Sequence, residues 1–216
     1  MSYHGTVEPG GPPADHELTD LVITKVSVGP MDNNAYVLRC RSTGQALLVD
    51  AAAQAGRLLE TVGDEPLRTV VTTHRHGDHW GALAEVVATT GAVTVAHPRD
   101  APAIGVPTTR LVEDGDVVTV GEVSLSVVHL QGHTPGSIAL LYDDPHGSPH
   151  LLTGDSLFPG GLGRTTPDTF GLLMRDLETK VFAVLPDETW VYPGHGDDTT
   201  LGRERPHLAD WHARGW

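Results

Sequence analysis

The segment Thr73-His74-Arg75-His76-Gly77-Asp78-His79-Trp80 is the most informative stretch of this chain. It places three imidazoles and one carboxylate within the six residues from His74 to His79. Imidazole and carboxylate groups are the usual protein ligands of a borderline divalent metal such as zinc. The segment therefore predicts a metal site, whereas a solvated polar turn is the weaker interpretation.

The residues on either side predict where this segment lies in the fold. The β-branched stretch from Leu67 to Thr73 is typical of a buried strand. After it, apolar residues recur at helical spacing, and Gly91 lies just past the last of them. These apolar residues are Trp80, Leu83, Val86 and Val87. The segment is thus expected on a tight strand-to-helix turn, which can bring together side chains that a straight strand would send to opposite faces.

Three further turns show the same arrangement of a strand end, a glycine and one ligand-type side chain. They are Gly132-His133, Gly154-Asp155 and Gly194-His195-Gly196. Glycine lets the backbone bend sharply and approach a ligand closely. Each turn taken singly is more typical of a surface side chain, but together with the first segment they indicate one shared site.

With these motifs the sequence resembles the metallo-β-lactamase superfamily from Leu21 to Trp216. The motifs that carry the resemblance are Thr73–His79, Gly132–Gly136, Thr153–Ser156 and Tyr192–His195, with Asp50 after an early strand. Within the superfamily the chain is similar to the short glyoxalase II-like hydrolases, through Ser156–Phe158, Gly163–Thr165 and the residues from Gly194 to Thr200. The resemblance implies an α/β fold, an αββα four-layer sandwich with the metal site at one edge of its two sheets.

The resemblance also implies the roles of individual residues. His74, His76 and His133 would bind one metal, and Asp78, His79 and His195 would bind the other. Asp155 would bridge two ions, expected to be zinc, with iron or manganese as alternatives. A metal-activated hydroxide would attack the substrate carbonyl, with Asp78 as the catalytic acceptor of its hydrogen bond. Asp50 would either orient a ligand histidine or cap its turn.

The function expected from this set is hydrolysis of acyl thioesters, such as S-lactoyl conjugates of a small thiol. A thiolate leaves without strong protonation, so no separate general acid is needed. The main alternative is a persulfide dioxygenase with a single iron bound by His79 or His74, His133 and Asp155. A lactonase of the same fold and a redox or metal-binding module are further alternatives.

Composition limits the classes of partner. The chain has 216 residues and a net charge of −14, from 28 acidic and 14 basic residues. Such a charge argues against binding to nucleic acid or an anionic membrane. The partner that the resemblance implies is a small thioester substrate. The expected oligomeric state is a monomer or homodimer. No signal peptide is recognisable, and the single cysteine, Cys40, is expected in the core of a cytoplasmic protein.

The chain is expected to divide into a flexible leader over residues 1–20 and one domain over residues 21–216. Glyoxalase II carries a C-terminal helical domain for the glutathione end of its substrate. Here the chain stops soon after His195, so that subsite is expected to be missing or rebuilt. Arginines that could hold a substrate carboxylate, each with a surface role as the commoner alternative, are Arg164, Arg203 and Arg205. The histidines expected at the surface are His4, His16, His146, His150, His207 and His212.

Overall fold

The computed structural model describes residues 3–215, which form two large sheets with helices on their outer faces. In the first sheet, β1 to β4 are antiparallel neighbours and β4 to β7 are parallel neighbours. Its strands, in spatial as well as chain order, are β1 (Ala14–Glu17), β2 (Leu21–Val28), β3 (Asn33–Cys40), β4 (Ala46–Val49), β5 (Leu67–Val71), β6 (Val93–Ala96) and β7 (Arg110–Leu111).

The second sheet has six strands, which also follow chain order in space. The spatial order is β15-β14-β11-β10-β9-β8, with β11 and β14 parallel. The strands are β8 (Val117–Val120), β9 (Val123–His129), β10 (Ile138–Asp143), β11 (Pro149–Gly154), β14 (Trp190–Pro193) and β15 (Thr199–Thr200). A small hairpin between β11 and β14 consists of β12 (Leu157–Phe158) and β13 (Gly161–Leu162).

Alternating apolar residues give each sheet two buried faces. On β4, Leu47 and Val49 face the core between the sheets, whereas Leu48 packs under the helices α1 (Ala55–Val62) and α2 (Leu83–Thr90). On β11, Leu152 faces the same central core. Its neighbour Leu151 lies in the outer core with α3 (Pro167–Leu177), α4 (Leu201–Glu204) and α5 (Leu208–Arg214). The order of layers is therefore helix, sheet, sheet, helix, which confirms the predicted αββα sandwich.

The structure has three local features that the layer pattern does not describe. The predicted leader contains β1, whose residues pair with β2, and His16 on this strand bonds to Tyr192 and does not lie free at the surface. The Asn33-Asn34 pair, a turn signal in the sequence, begins β3. The helix from Pro167 is α-helical only to Leu177 and continues as a π-helical turn over Glu178–Phe182. The division of the chain at residue 20 stays a prediction.

The ligand-type residues lie where several strands end at one edge of the sandwich. The chain reaches His74 just after β5, Asp155 just after β11 and His195 just after β14. Because β11 and β14 are parallel neighbours, their ends meet at the same place. Among residues 3–215 no helix has the length and apolar character needed to cross a bilayer.

Candidate metal centre

The segment Thr73–Trp80 connects β5 to α2, as the sequence predicts. A single 3-10 turn spans Gly77–His79, and the backbone N–H of His79 donates to the carbonyl of His76. This tight turn directs both His74 and His79 into the protein, where they are 1% and 0% exposed. His76 stays at the surface of the same turn.

The first group of converging side chains consists of three histidines. His74 Nε2 lies 3.0 Å from His76 Nδ1, and His133 Nε2 lies 2.9 Å from the same His76 nitrogen. His133 comes from the loop between β9 and β10, so this group joins both sheets. These are the three residues predicted to share one metal.

The second group consists of Asp78, His79 and His195. The two Nε2 atoms of His79 and His195 are 3.3 Å apart. Asp78 Oδ2 lies 3.6 Å from His79 Nε2 and 3.4 Å from His195 Nε2. Within this group all the potential ligand atoms lie within 4.8 Å of one another.

Asp155 lies between the two groups. Its Oδ2 atom is 3.5 Å from His133 Nε2 and 3.6 Å from His195 Nε2, and its Oδ1 atom is 3.4 Å from His79 Nε2. A Cβ atom on Gly194 would lie only 2.2 Å from Asp155 Oδ1, so glycine is required for this close approach. The structure thus brings all seven predicted ligands together, and their coordination of metal stays a prediction.

The hydrogen bonds of the histidines show that the site suits a cation. His79 Nδ1 donates to Asp50 Oδ2 at 2.8 Å, His133 Nδ1 to the carbonyl of Arg164 at 2.8 Å, and His195 Nδ1 to the carbonyl of Met31 at 2.9 Å. These oxygens can only accept, so in the neutral form of each ring the proton lies on Nδ1 and the lone pair on Nε2.

The same holds for His74. The hydroxyl of Thr73 donates to Asp50 and so accepts from His74 Nδ1, which leaves a lone pair on His74 Nε2. Asp155 Oδ1 is buried and has no hydrogen-bond partner within residues 3–215. Four lone pairs and an unpartnered carboxylate oxygen therefore face one another, an arrangement that divalent cations would satisfy.

The electrostatics of the site also favour a cation. Burial lowers the pKa of both His74 and His133, which keeps these imidazoles neutral and able to coordinate. Burial acts in the same direction on His79, but Asp50 and Asp155 outweigh it and raise the pKa of His79 to about 10. The carboxylates thus stabilise positive charge at this position.

Asp50 has both of the roles that the sequence left open. It accepts hydrogen bonds from the backbone N–H and the hydroxyl of Thr73, each at 2.7 Å, and so caps the turn. It also holds the ring of His79. Its φ of 58° places its backbone in the left-handed region.

Sequence reasoning missed the side chains that hold Asp78 and the His195 turn. Asn33 donates to Asp78 Oδ2 at 2.9 Å. Burial disfavours the Asp78 carboxylate, but this hydrogen bond and the nearby His79 outweigh burial and lower its pKa. Asn34 donates to the carbonyls of Pro193 and Gly196, on both sides of His195. The two adjacent asparagines were the sequence signal that could have indicated these hydrogen bonds.

A buried lysine was also missed. Lys25 Nζ donates to Asp198 Oδ1 at 2.6 Å and to the carbonyls of Gly5 and Gly196 at 2.7 Å. Both charged side chains are 0% exposed. A lysine within the apolar strand Leu21–Val28 was the signal, because such a side chain is rarely buried without a partner.

A cleft of about 470 Å³ adjoins the three-histidine group. Its walls include the two arginines Arg75 and Arg164, and no acidic residue among those that the structure describes. The other arginines considered from sequence lie elsewhere: Arg205 bonds to Asp187 and to the end of the π-helical turn, and Arg203 lines a separate pocket with Tyr3.

The remaining histidines take no part in the ligand groups found among residues 3–215. His97 and His129 stack on each other with ring centroids 4.2 Å apart. The surface expectation is wrong for His150, which is 5% exposed and bonds to Tyr192. Its position at the start of a strand, directly after a turn, concealed its burial.

Comparison with known proteins gives a family match over most of the chain. The model of the metallo-beta-lactamase superfamily matches residues 28–195. Hydroxyacylglutathione hydrolase of Rhodospirillum rubrum is 33% identical over 167 residues, which cover 76% of this chain and 62% of that protein. The chain thus spans less than two thirds of that relative.

Two solved structures show how closely the fold is shared. ETHE1 from Myxococcus xanthus superimposes with a TM-score of 0.76 at 30% identity, covering 86% of this chain and 82% of its own. TTHA1623 in a di-iron-bound form has a TM-score of 0.70 at 31% identity, covering 84% and 96%. A related protein of this fold therefore holds two iron ions.

Proposed function

The chain belongs to the metallo-beta-lactamase superfamily, and we propose that it is a hydrolase that uses two metal ions to cleave acyl thioesters of a small anionic thiol. Zinc is the expected metal, and the di-iron relative makes iron the first alternative. The identity to hydroxyacylglutathione hydrolase supports the substrate class. The observation that carries the proposal is the position of Asp155 between two complete ligand groups.

The residues that would hold the ions are those predicted from sequence. The first ion would take His74, His76 and His133, the second would take Asp78, His79 and His195, and Asp155 would be shared. Two such ions supply a water of near-neutral pKa and polarise the substrate carbonyl. Asp78 would accept a hydrogen bond from the attacking water, and Asn33 holds the carboxylate in place for this role by donating to Oδ2.

The chemistry of the cleft supports a thioester in particular. Apart from two arginines, the only ionisable residues that line it in the described part of the chain are His76 and His133, which belong to the ligand set. An alkoxide or amine leaving group would need a proton donor there. A thiolate does not, because the pKa of a free thiol is about 8.5. The leaving group that suits this cleft is therefore a thiolate.

The same cleft supports an anionic thiol carrier. Arg75 and Arg164 line it, and neither pairs with a carboxylate among the described residues. Guanidinium groups bind carboxylates through paired hydrogen bonds. The two arginines are thus suited to hold the carboxylate groups of the carrier while the acyl carbon lies at the metal centre.

The test is a comparison of substrates on protein loaded with a known metal. S-Lactoylglutathione and S-acetyl thiol esters are expected to turn over far faster than nitrocefin or DNA. Arg75→Gln should raise KM for the carboxylate-bearing thioester and leave kcat near that of the wild type, with Arg203→Gln, in a separate pocket, as the matched control. Absence of thioester turnover in protein with two ions bound would refute the proposal.

A single-iron persulfide dioxygenase is the second candidate. It is favoured by the group His74, His79 and Asp155, whose ligand atoms also lie within 4.8 Å of one another and could hold one ion. This group differs from the sequence prediction, which combines His133 and Asp155 with one of these two histidines. Oxygen uptake with glutathione persulfide, together with one iron per chain and no thioester turnover, would assign the protein to this activity.

A further inference from the structure

Asp100 is a fully buried carboxylate beside the metal centre that belongs to none of the ligand groups. It is 0% exposed and lies in the loop after β6. Its Oδ2 atom accepts from the backbone N–H of Arg75 at 3.0 Å and from the hydroxyl of Thr134 at 2.5 Å. Its Oδ1 atom accepts from the backbone N–H of Gly136 at 2.9 Å. Burying a carboxylate is costly, so its three hydrogen bonds must hold it firmly.

These three donors come from the two loops that carry the first ligand group. Arg75 lies between His74 and His76, and Thr134 directly follows His133. We propose that Asp100 is a positioning residue that sets the separation of these two loops, and so the affinity of the three-histidine group for its metal ion. The proposal rests on the metal centre of the proposed function.

The packing around the carboxylate supports a fixed geometry. A Cβ atom on Gly136 would lie 2.8 Å from the backbone nitrogen of Asp100 and 2.9 Å from its Cγ, so the loop can come this close only with glycine. The Thr134 hydroxyl donates to Asp100 and accepts from Ser137 Oγ at 2.6 Å. Ser137 Oγ in turn accepts from the N–H of Thr134 at 3.1 Å. Every member of this small network thus has a partner, which restricts the loop of His133 to one conformation.

Asp50 provides the contrast that makes the role of Asp100 specific. Asp50 bonds to Thr73 and directly to the ring of His79, a member of the second group. Among residues 3–215, the carboxylate of Asp100 bonds to the backbone between His74 and His76 and to the loop of His133. Asp50 holds His79 directly and reaches His74 through the Thr73 hydroxyl, so it supports both groups, whereas Asp100 joins the two segments that carry the first group. Loss of Asp100 should therefore weaken mainly the ion of the first group and so separate the affinities of the two ions.

The test is zinc binding to chelator-stripped protein, measured by isothermal titration calorimetry and by elemental analysis. Asp100→Asn keeps the shape but turns an amide N–H₂ toward at least one of the three donors. We expect one of two zinc ions to bind 10–100-fold more weakly, the usual effect of losing a residue that orients ligands. The other ion should bind as in the wild type. When cobalt replaces zinc, the visible absorption of only one of the two cobalt ions should differ between Asp100→Asn and the wild type.

Asp144→Asn is the matched control. Asp144 is another buried carboxylate, 6% exposed, that accepts from the backbone N–H groups of Thr19 and His146, away from the centre. Its variant should lose stability without any change in zinc binding. If Asp100→Asn does not fold, Thr134→Val removes one of the three donors and should weaken the same single ion by a smaller factor.

The outcomes separate this inference from the proposed function. Wild-type protein that binds no divalent metal refutes the metal centre itself. Two ions in the wild type and two equally tight ions in Asp100→Asn refute the positioning role while leaving the centre intact. Equal weakening of both ions in Asp100→Asn also overturns it, because that is the result expected of a purely structural residue.

Discussion

Acidification from pH 7 to pH 5 is expected to destabilise the protein through His150. This side chain lies at the interface of β1, β11 and β14, and its Nδ1 atom is 2.8 Å from the Tyr192 hydroxyl. His16 Nδ1 is 2.8 Å from the same hydroxyl. Burial, and then repulsion from His16, lower the pKa of His150 to about 4, against a smaller opposite effect of Asp144.

The sign and size of the effect follow from this pKa. An unfolded histidine has a pKa of about 6.5, so below that pH the unfolded chain binds a proton that the folded protein does not. The contribution of neutral His150 is therefore complete above about pH 6.5 and is lost as the pH falls toward 4. At pH 5, about 1.5 pH units below the pKa of an unfolded histidine, protonation of the unfolded chain lowers the free energy of unfolding by about 2 kcal/mol.

Urea unfolding at both pH values measures this loss. His150→Asn keeps a polar group near the Tyr192 hydroxyl but cannot titrate. Between pH 7 and pH 5 the variant should lose about 2 kcal/mol less than the wild type. The difference between the two proteins cancels the contributions of the other histidines. His146→Asn, on the exposed turn before β11, should keep the wild-type dependence. A variant with the full wild-type loss would refute the assignment to His150.

Four further substitutions test the metal centre and its supports. Asp78→Asn should lower thioester turnover by about 10²–10³-fold at nearly unchanged melting temperature, because it removes one charge-stabilising acceptor; near wild-type turnover with full metal would contradict its role. Asp155→Ala should reduce binding of both ions, whereas His195→Ala should mainly affect one, as elemental analysis can show. Lys25→Met should cost about 3–5 kcal/mol in urea unfolding, because it leaves Asp198 charged and buried without its partner; a loss below about 1 kcal/mol would show that the pair does not support the fold.

Local sequence determined much of the centre. The strand-to-helix turn of Thr73–Trp80 and the glycine turns at His133, Asp155 and His195 supplied all seven side chains that the structure brings together. The prediction succeeded because each ligand follows a strand with a clear apolar pattern, and each turn is marked by glycine. The layer order was likewise predictable, since both sheets carry alternating or continuous apolar strands.

Only the tertiary structure revealed the buried groups that hold these turns in place. Lys25 reaches Asp198 across 173 positions of the chain, His16 reaches Tyr192 across 176, and Asp100 reaches Thr134 across 34. Periodicity and turn chemistry describe neighbours in sequence, whereas a buried charge is stabilised by whichever donors and acceptors the completed fold brings within about 3 Å. The ligands could therefore be identified from the sequence, but the residues that fix their geometry depend on contacts that exist only once the two sheets have packed together.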